Sequence, residues 1–399
     1  MYIIKIMIKE KYDQFLTYTQ ALIWYGFNQL RGSFMFFKKF WRKKSNSDIQ
    51  SVQDKPIAQD KISLAIQTFW TQVKASEQTF NTLEPISIME NLNNLLIDNQ
   101  LNVIAELTRG DKKNHKIIFT AGGRIEQFEL VIRIVKNAPD LNFFEIEAFR
   151  TRIENLDAFS ITHHDHSLSL SPADLLIYHH KEYRKISLEI AFGKTIPEEK
   201  KQIAQSTAFI LLDHALGEYD FSIKIGCVNF LEIPKEATAV PLIEFVTVFD
   251  QLWQDKLKHT GIFPLSDKED RWNVFEIIDQ NDPDNKRLVQ RNETADVLVG
   301  DFNYCYALTI TADVDSKENL SLVYELEDTI NPALRFNKQG IHCQNTFYQG
   351  VRTMLWHVQD KQSAIALAQR LADQYKTLSV KIECEFDPGW LQYLSWVEK

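Results

Sequence analysis

The sequence predicts an α+β protein built from two α/β sandwich domains. Three observations carry that prediction. Apolar residues recur at helical spacing in some segments and at strand-like spacing in others. These segments alternate, with neighbouring antiparallel pairs, as expected of helices and strands layered on shared cores. The chain has 399 residues, 44% of them hydrophobic and 25% charged, so each domain can bury a core. Boundaries follow from composition: residues 1–61 form a basic tail and linker, 62–255 an N-terminal α/β domain, 256–270 a second linker, and 271–399 the C-terminal domain.

Ile62, Ile66, Phe69, Trp70, Val73 and Phe80 mark a first helix, and Met89, Leu92, Leu95 and Leu96 a second. HKIIFT is predicted as a strand, Ala121-Gly122-Gly123 as a turn, IEQFELVIRIVKNA as a helix closed by Pro139, and NFFEIEAFR as a returning strand. LLIYHH and ISLEIAFG are two further strands. A helix opens near Pro197, where proline suits the first turn, runs into LLDHALGEYD and stops at Gly217. FSIKIGCVNFLEI is predicted as a strand, and the pattern weakens between Pro241 and Asp270.

Beyond Arg271, WNVFEII opens the last domain. YALTITADV reads as a strand, ENLSLVYELEDTINPAL as a helix, GIHCQNTFYQGVRTMLWHV as a hairpin turning at Tyr348 to Gly350, SAIALAQRLADQY as a helix and LSVKIECEF as a strand. That β-α-β-β-α-β order predicts a ferredoxin-like arrangement. FSIKIGC (221–227) and LSVKIEC (378–384) agree at Ser, Lys, Ile and Cys, as a duplication or a chance match of strand-like sequence would give.

Charge is uneven. Residues 1–44 hold nine Lys/Arg against Glu10 and Asp13, leaving 36 basic and 52 acidic residues beyond. An acidic body disfavours direct nucleic-acid binding, which depends on phosphate neutralisation, and favours a basic protein partner. Cys227, Cys305, Cys343 and Cys384 are widely spaced and read as reduced core residues. No apolar run reaches the roughly 18–20 residues of a membrane helix, so a cytoplasmic location is expected. Met35 opens MFFKKFWRKK and is the expected start of translation. Phe36, Phe37, Phe40 and Trp41 alternate there with Lys38, Lys39, Arg42, Lys43 and Lys44, which reads as a solubilising tail, with attachment to an anionic membrane surface as the alternative.

Candidate sites are few. His163, His164 and His166 surround Asp165 in ITHHDHSLSL, which reads as a solvated loop with a metal site as the alternative. His214 and Glu218, four apart on a predicted helix, form an acid–base candidate or a helix-end pair. Gly122, Gly123 and Arg124, between a strand and a helix, are an anion-binding candidate or a tight turn. Glu383, Glu385, Asp387, Trp390, Tyr393 and Trp396 form an acidic, aromatic end that either contacts a partner or closes the core. No cofactor fingerprint is present, and none is expected.

IIFTAGGRIEQFELVIRIVKNAPDLNFFEIEAF, LLDHALGEYD and CEFDPGWLQYL resemble a family of uncharacterised two-domain bacterial proteins. The C-terminal part resembles a domain-of-unknown-function group distantly similar to the B-type ribonuclease E inhibitor. The resemblance spans roughly residues 62–396; it implies a fold and carries no activity. The expected function is a non-enzymatic binding or regulatory protein, of inhibitor or immunity type, presenting acidic surface to a basic partner such as a nuclease. The alternatives are a metal-dependent hydrolase using His163 to His166 and a membrane adaptor using residues 35–44.

Overall fold

The computed structural model describes residues 61–163, 167–182, 185–235, 238–279 and 282–395. Two compact units result, one ending at Phe149 and the other beginning at Arg150. The sequence instead placed its boundary at 256–270. Met35 and the basic, aromatic segment 36–44 lie outside the described residues.

The first unit opens with helices α1 (Lys61–Phe80) and α2 (Pro85–Asp98), the latter begun by a proline in its first turn. Strands β1 (Ile104–Arg109) and β2 (His115–Thr120) pair antiparallel, and helix α3 (Phe128–Lys136) carries the chain to β3 (Phe144–Ala148), parallel to β2. Phe69, Trp70 and Phe119 form an edge-to-face cluster with centroids 5.0–5.9 Å apart, a favourable aromatic geometry. Trp70 Nε1 donates to the Ile134 carbonyl at 2.8 Å, so its buried polar end is satisfied. Glu77 is buried in this core. Burial works against its charge, but hydrogen bonds from Lys74 and the Phe143 and Asn142 amides outweigh that and lower its pKa.

In the second unit, hairpin β4–β5 (Ile161–His163, Leu168–Leu170) precedes a sheet of order β8-β7-β6-β9. Its members are β6 (Leu175–Glu182), β7 (Lys185–Phe192), β8 (Ile225–Phe230) and β9 (Val240–Pro241). Helices α4 (Lys201–Leu216) and α5 (Glu218–Lys224) link β7 to β8. The predicted strand FSIKIGCVNFLEI is therefore corrected: FSIK closes α5, and only residues 225–230 are extended. The likeness to LSVKIEC goes with it, because Lys224 ends a helix while Lys381 lies in a strand. Cys227 is exposed on β8, at the edge of this sheet, and so is not a core residue; the other three cysteines are buried.

The weakly patterned region holds α6 (Leu242–Gln251), whose Leu242, Phe245 and Phe249 are buried. Residues 256–270 are no bare linker either. Phe263 stacks on Tyr304 at 5.5 Å, and the Gly261 amide donates to the Val297 carbonyl at 2.7 Å. An apolar anchor and a satisfied backbone fix this segment, which composition alone reads as a connector.

A six-stranded sheet completes the unit in the order β10-β11-β13-β14-β12-β15. Its strands are β10 (Trp272–Asp279), β11 (Asp282–Asn292), β12 (Tyr306–Asp313), β13 (Gly340–Tyr348), β14 (Val351–Val358) and β15 (Val380–Phe386), with every pairing antiparallel. Helix α7 (Lys317–Arg335) joins β12 to β13, and α8 (Lys361–Ala372) joins β14 to β15. Ser316 and Asp360 cap them, accepting from the Asn319 and Ser363 amides. The helices pack on each other and on the sheet. The opposite face is covered near one end by residues 293–305 and by the short helix α9 (Leu391–Leu394), around Ala307, Ile341, Leu355, Trp390 and Tyr393.

Candidate binding cleft

A cleft of about 350 Å³ opens where β10, β11 and β13 pass beside α7. Its floor follows from strand periodicity. Trp272 and Val274 face it from β10, Gln290 from β11, and His342 and Asn345 from β13. A bulge between His342 and Gln344 changes the register of β13, which is how both His342 and Asn345 reach the same side. Glu327, Asp328 and Asn331, three and four positions apart on α7, form the wall, and Asp267 and Asp270 close the end.

The buried half is a continuous network. The His342 ring is stacked on Trp356 at 4.3 Å and meets Trp272 edge-on at 4.9 Å. Asn345 Nδ2 donates to Glu327 Oε1 at 2.9 Å, which turns Asn345 Oδ1 toward His342 Nε2, also at 2.9 Å. His342 therefore carries its proton on Nε2, leaving Nδ1 bare 3.7 Å from Glu327 Oε1. Burial first, with the Arg352 and Arg335 charges adding, pushes the His342 pKa down to about 4 against the opposing pull of Glu327. The ring is thus neutral at pH 7. Arg352 donates from Nε and Nη2 to Glu327 at 3.1 and 2.6 Å and lies over the Tyr324 ring at 4.6 Å.

The cleft's charge balance is the informative part. Arg335 Nη2 donates to Asp270 Oδ2 at 2.6 Å, and both side chains are almost wholly buried. Among the described residues Asp270 Oδ1 has no hydrogen-bond partner, nor does the buried Asn331 Oδ1. Burial raises the Asp270 pKa against the opposing pull of Arg335 and the Asn292 side chain. Asp267 and Asp328 are exposed at the rim and form no ion pair with a described residue. Arg335 and Arg352 are thus committed to buried partners, and the lining offers acceptors and carboxylates beside an indole.

The sequence candidates fall elsewhere. His163 points inward, its Nε2 2.9 Å from Thr207 Oγ1 on α4; His164, Asp165 and His166 lie outside the described residues. No group of three or more potential metal ligands occurs among the described residues. Gly217, at φ +84°, separates His214 from Glu218, so they do not share one helix. Glu218 is buried and accepts from the Arg150 amide at 3.3 Å; His214 meets Phe159 edge-on at 4.8 Å, and burial pushes its pKa down to about 4. Any side chain at residue 217 would crowd the Arg150 carbonyl at 3.3 Å, so this corner packs the chain closely against residue 150.

At Gly122 the amide donates to Thr120 Oγ1 at 2.9 Å, while the Arg124 side chain donates to the Ala121 and Asn102 carbonyls at 2.9 and 3.0 Å. The turn consumes the donors that an anion would need. At the C-terminal end, Trp390 and Tyr393 are fully buried, and Asp387 caps α9 by accepting from the Leu391 and Gln392 amides at 2.7 and 3.0 Å. Those three close the core and present no contact surface; Glu383 and Glu385 stay exposed on β15, and Trp396 lies outside the described residues. No helix among the described residues is long and apolar enough to cross a membrane.

The cleft itself escaped the sequence because five separate elements build it. The one legible trace is Glu327, Asp328 and Asn331 on a single helix face. No family model, curated protein or solved structure matches the chain.

Proposed function

We propose that this chain is a non-enzymatic binding protein whose acidic, aromatic-walled cleft accepts a cationic side chain from a basic protein partner. Residues 306–386 are read as a ferredoxin-like module enlarged by the β10–β11 hairpin, in keeping with a regulatory or inhibitory role in the cytoplasm. The observation that carries the reading is the pair of rim carboxylates Asp267 and Asp328, without an ion pair among the described residues, above a buried carboxylate whose Oδ1 lacks a donor among them, with Trp272 alongside. A guanidinium or ammonium group supplies the missing donors, stacks on the indole, and gains speed of encounter from the complementary charge.

The test is calorimetric titration of the full chain with a capped heptapeptide, Arg-Thr-Val-Thr-Arg-Thr-Val, and with its counterpart carrying Glu for Arg. The Arg peptide binds, and more weakly as salt rises; the double substitution Asp267→Asn with Asp328→Asn weakens it at least fivefold. Equal binding of the Glu peptide, or no loss in the double variant, overturns the reading.

A further inference from the structure

We infer that the open edge of β10 is where that partner docks, as an extended basic segment added to the sheet as a seventh strand. This rests on the cleft reading and gives it a backbone. Among the described residues β10 pairs with β11 alone, so one side of WNVFEIID faces no described strand. An eight-residue edge with unpaired backbone groups is a template for another chain, and natural edges are usually blunted by lysines, prolines or inward charges. β10 has no lysine, arginine or proline; Glu276 is the one charge in its regular ladder, and the register shifts after Ile278. Val274 is 58% exposed and Ile278 49% exposed, on the same face as Trp272. Strand addition supplies affinity through main-chain hydrogen bonds and specificity through alternate side chains.

The occupant is set by charge. Along the cleft face the order is Trp272, Val274, Glu276, Ile278, with the carboxylates of the cleft at the Trp272 end. An added strand therefore matches best with a cation over the cleft, then an apolar residue, a cation opposite Glu276 and a second apolar residue, at every other position. A second copy of this chain would bring another Glu276 and another acidic cleft to the same edge, and like charges facing each other across strands are destabilising.

Backbone methylation separates the edge from the cleft. Two forms of the Arg-Val heptapeptide are made, one N-methylated at its odd amides and one at its even amides, with side chains and charge unchanged. Strand addition predicts that one form loses at least tenfold in affinity while the other binds within twofold of the parent, since only one set of amides faces β10. Val274→Lys and Ile278→Lys, at exposed positions, each weaken the parent peptide at least fivefold, with unchanged circular dichroism. If both methylated forms bind as the parent does, the edge inference fails and the cleft reading stands. If the parent peptide does not bind, both fail. Sedimentation showing a dimer that Ile278→Lys dissociates assigns the edge to a second copy and overturns the inference.

Discussion

The two edges of the six-stranded sheet have opposite character. β15 carries Lys381, Glu383 and Glu385 outward at alternate positions, with Lys381 and Glu383 paired at 2.8 Å, and its end is tied down by Asp387, Trp390 and Tyr393. β10 carries Trp272, Val274 and Ile278 on one face, two of them exposed, with Glu276 between. One edge is closed by charge on the outside and aromatic packing at its end; the other meets no strand among the described residues and lies beside an acidic cleft. Acidic and aromatic residues occur at both, so composition does not distinguish a surface that closes a fold from one that receives a partner. Burial does.

The comparison is broken or sharpened most strongly at Trp390, which stacks on His357 at 3.8 Å and is fully buried. Trp390→Ala should cost about 3–5 kcal/mol, read from urea unfolding. A loss below about 1 kcal/mol would mean that the β15 end is not structural.

Acid comes next, because each edge has a buried histidine nearby. Burial pushes both His342 and His357 down to about 4, below the unfolded value of about 6.5. The unfolded chain therefore binds more protons between these values. The stability owed to each neutral ring is present in full above pH 6.5 and lost as pH falls toward 4, about 3 kcal/mol per ring. Urea midpoints at pH 7, 5.5 and 4 should fall accordingly, and His357→Phe should flatten the fall. An unchanged slope in that variant would refute the assignment.

Asp387→Ala removes the acceptor for two α9 amides and should cost about 1–2 kcal/mol, measured by thermal unfolding. The smallest stability effect belongs to the surfaces. Ile278→Lys and the pair Glu383→Gln with Glu385→Gln should each shift stability by about 0.5 kcal/mol or less. Only the first should weaken the Arg-Val peptide; equal weakening by the β15 pair would relocate the partner to the other edge.

Much of the element order was legible because apolar spacing is local. α1, α2, β2, α4 and the strands of the last sheet except β11 were marked by their own residues. β1 and α6 were not read, nor was β11, although WNVFEII beside it was. FSIK was misread because its apolar residues suit a strand as well as one helical turn, and Gly217 set which it became by forcing a break before Glu218. Among the site candidates, Trp390 and Tyr393 had the right residue types for a contact surface but no local sign of their burial.

The sequence by itself determined the α+β class, the acidic body and the alternation of helices with strands, since periodicity and charge are properties of short segments. Tertiary structure alone decided that Trp272, Gln290, Glu327 and His342 share one cleft, and that Arg335 and Arg352 spend their charge inside it. Pairing across the sheet brings residues 267–345 together, and only then does it emerge which carboxylates have no ion pair among the described residues.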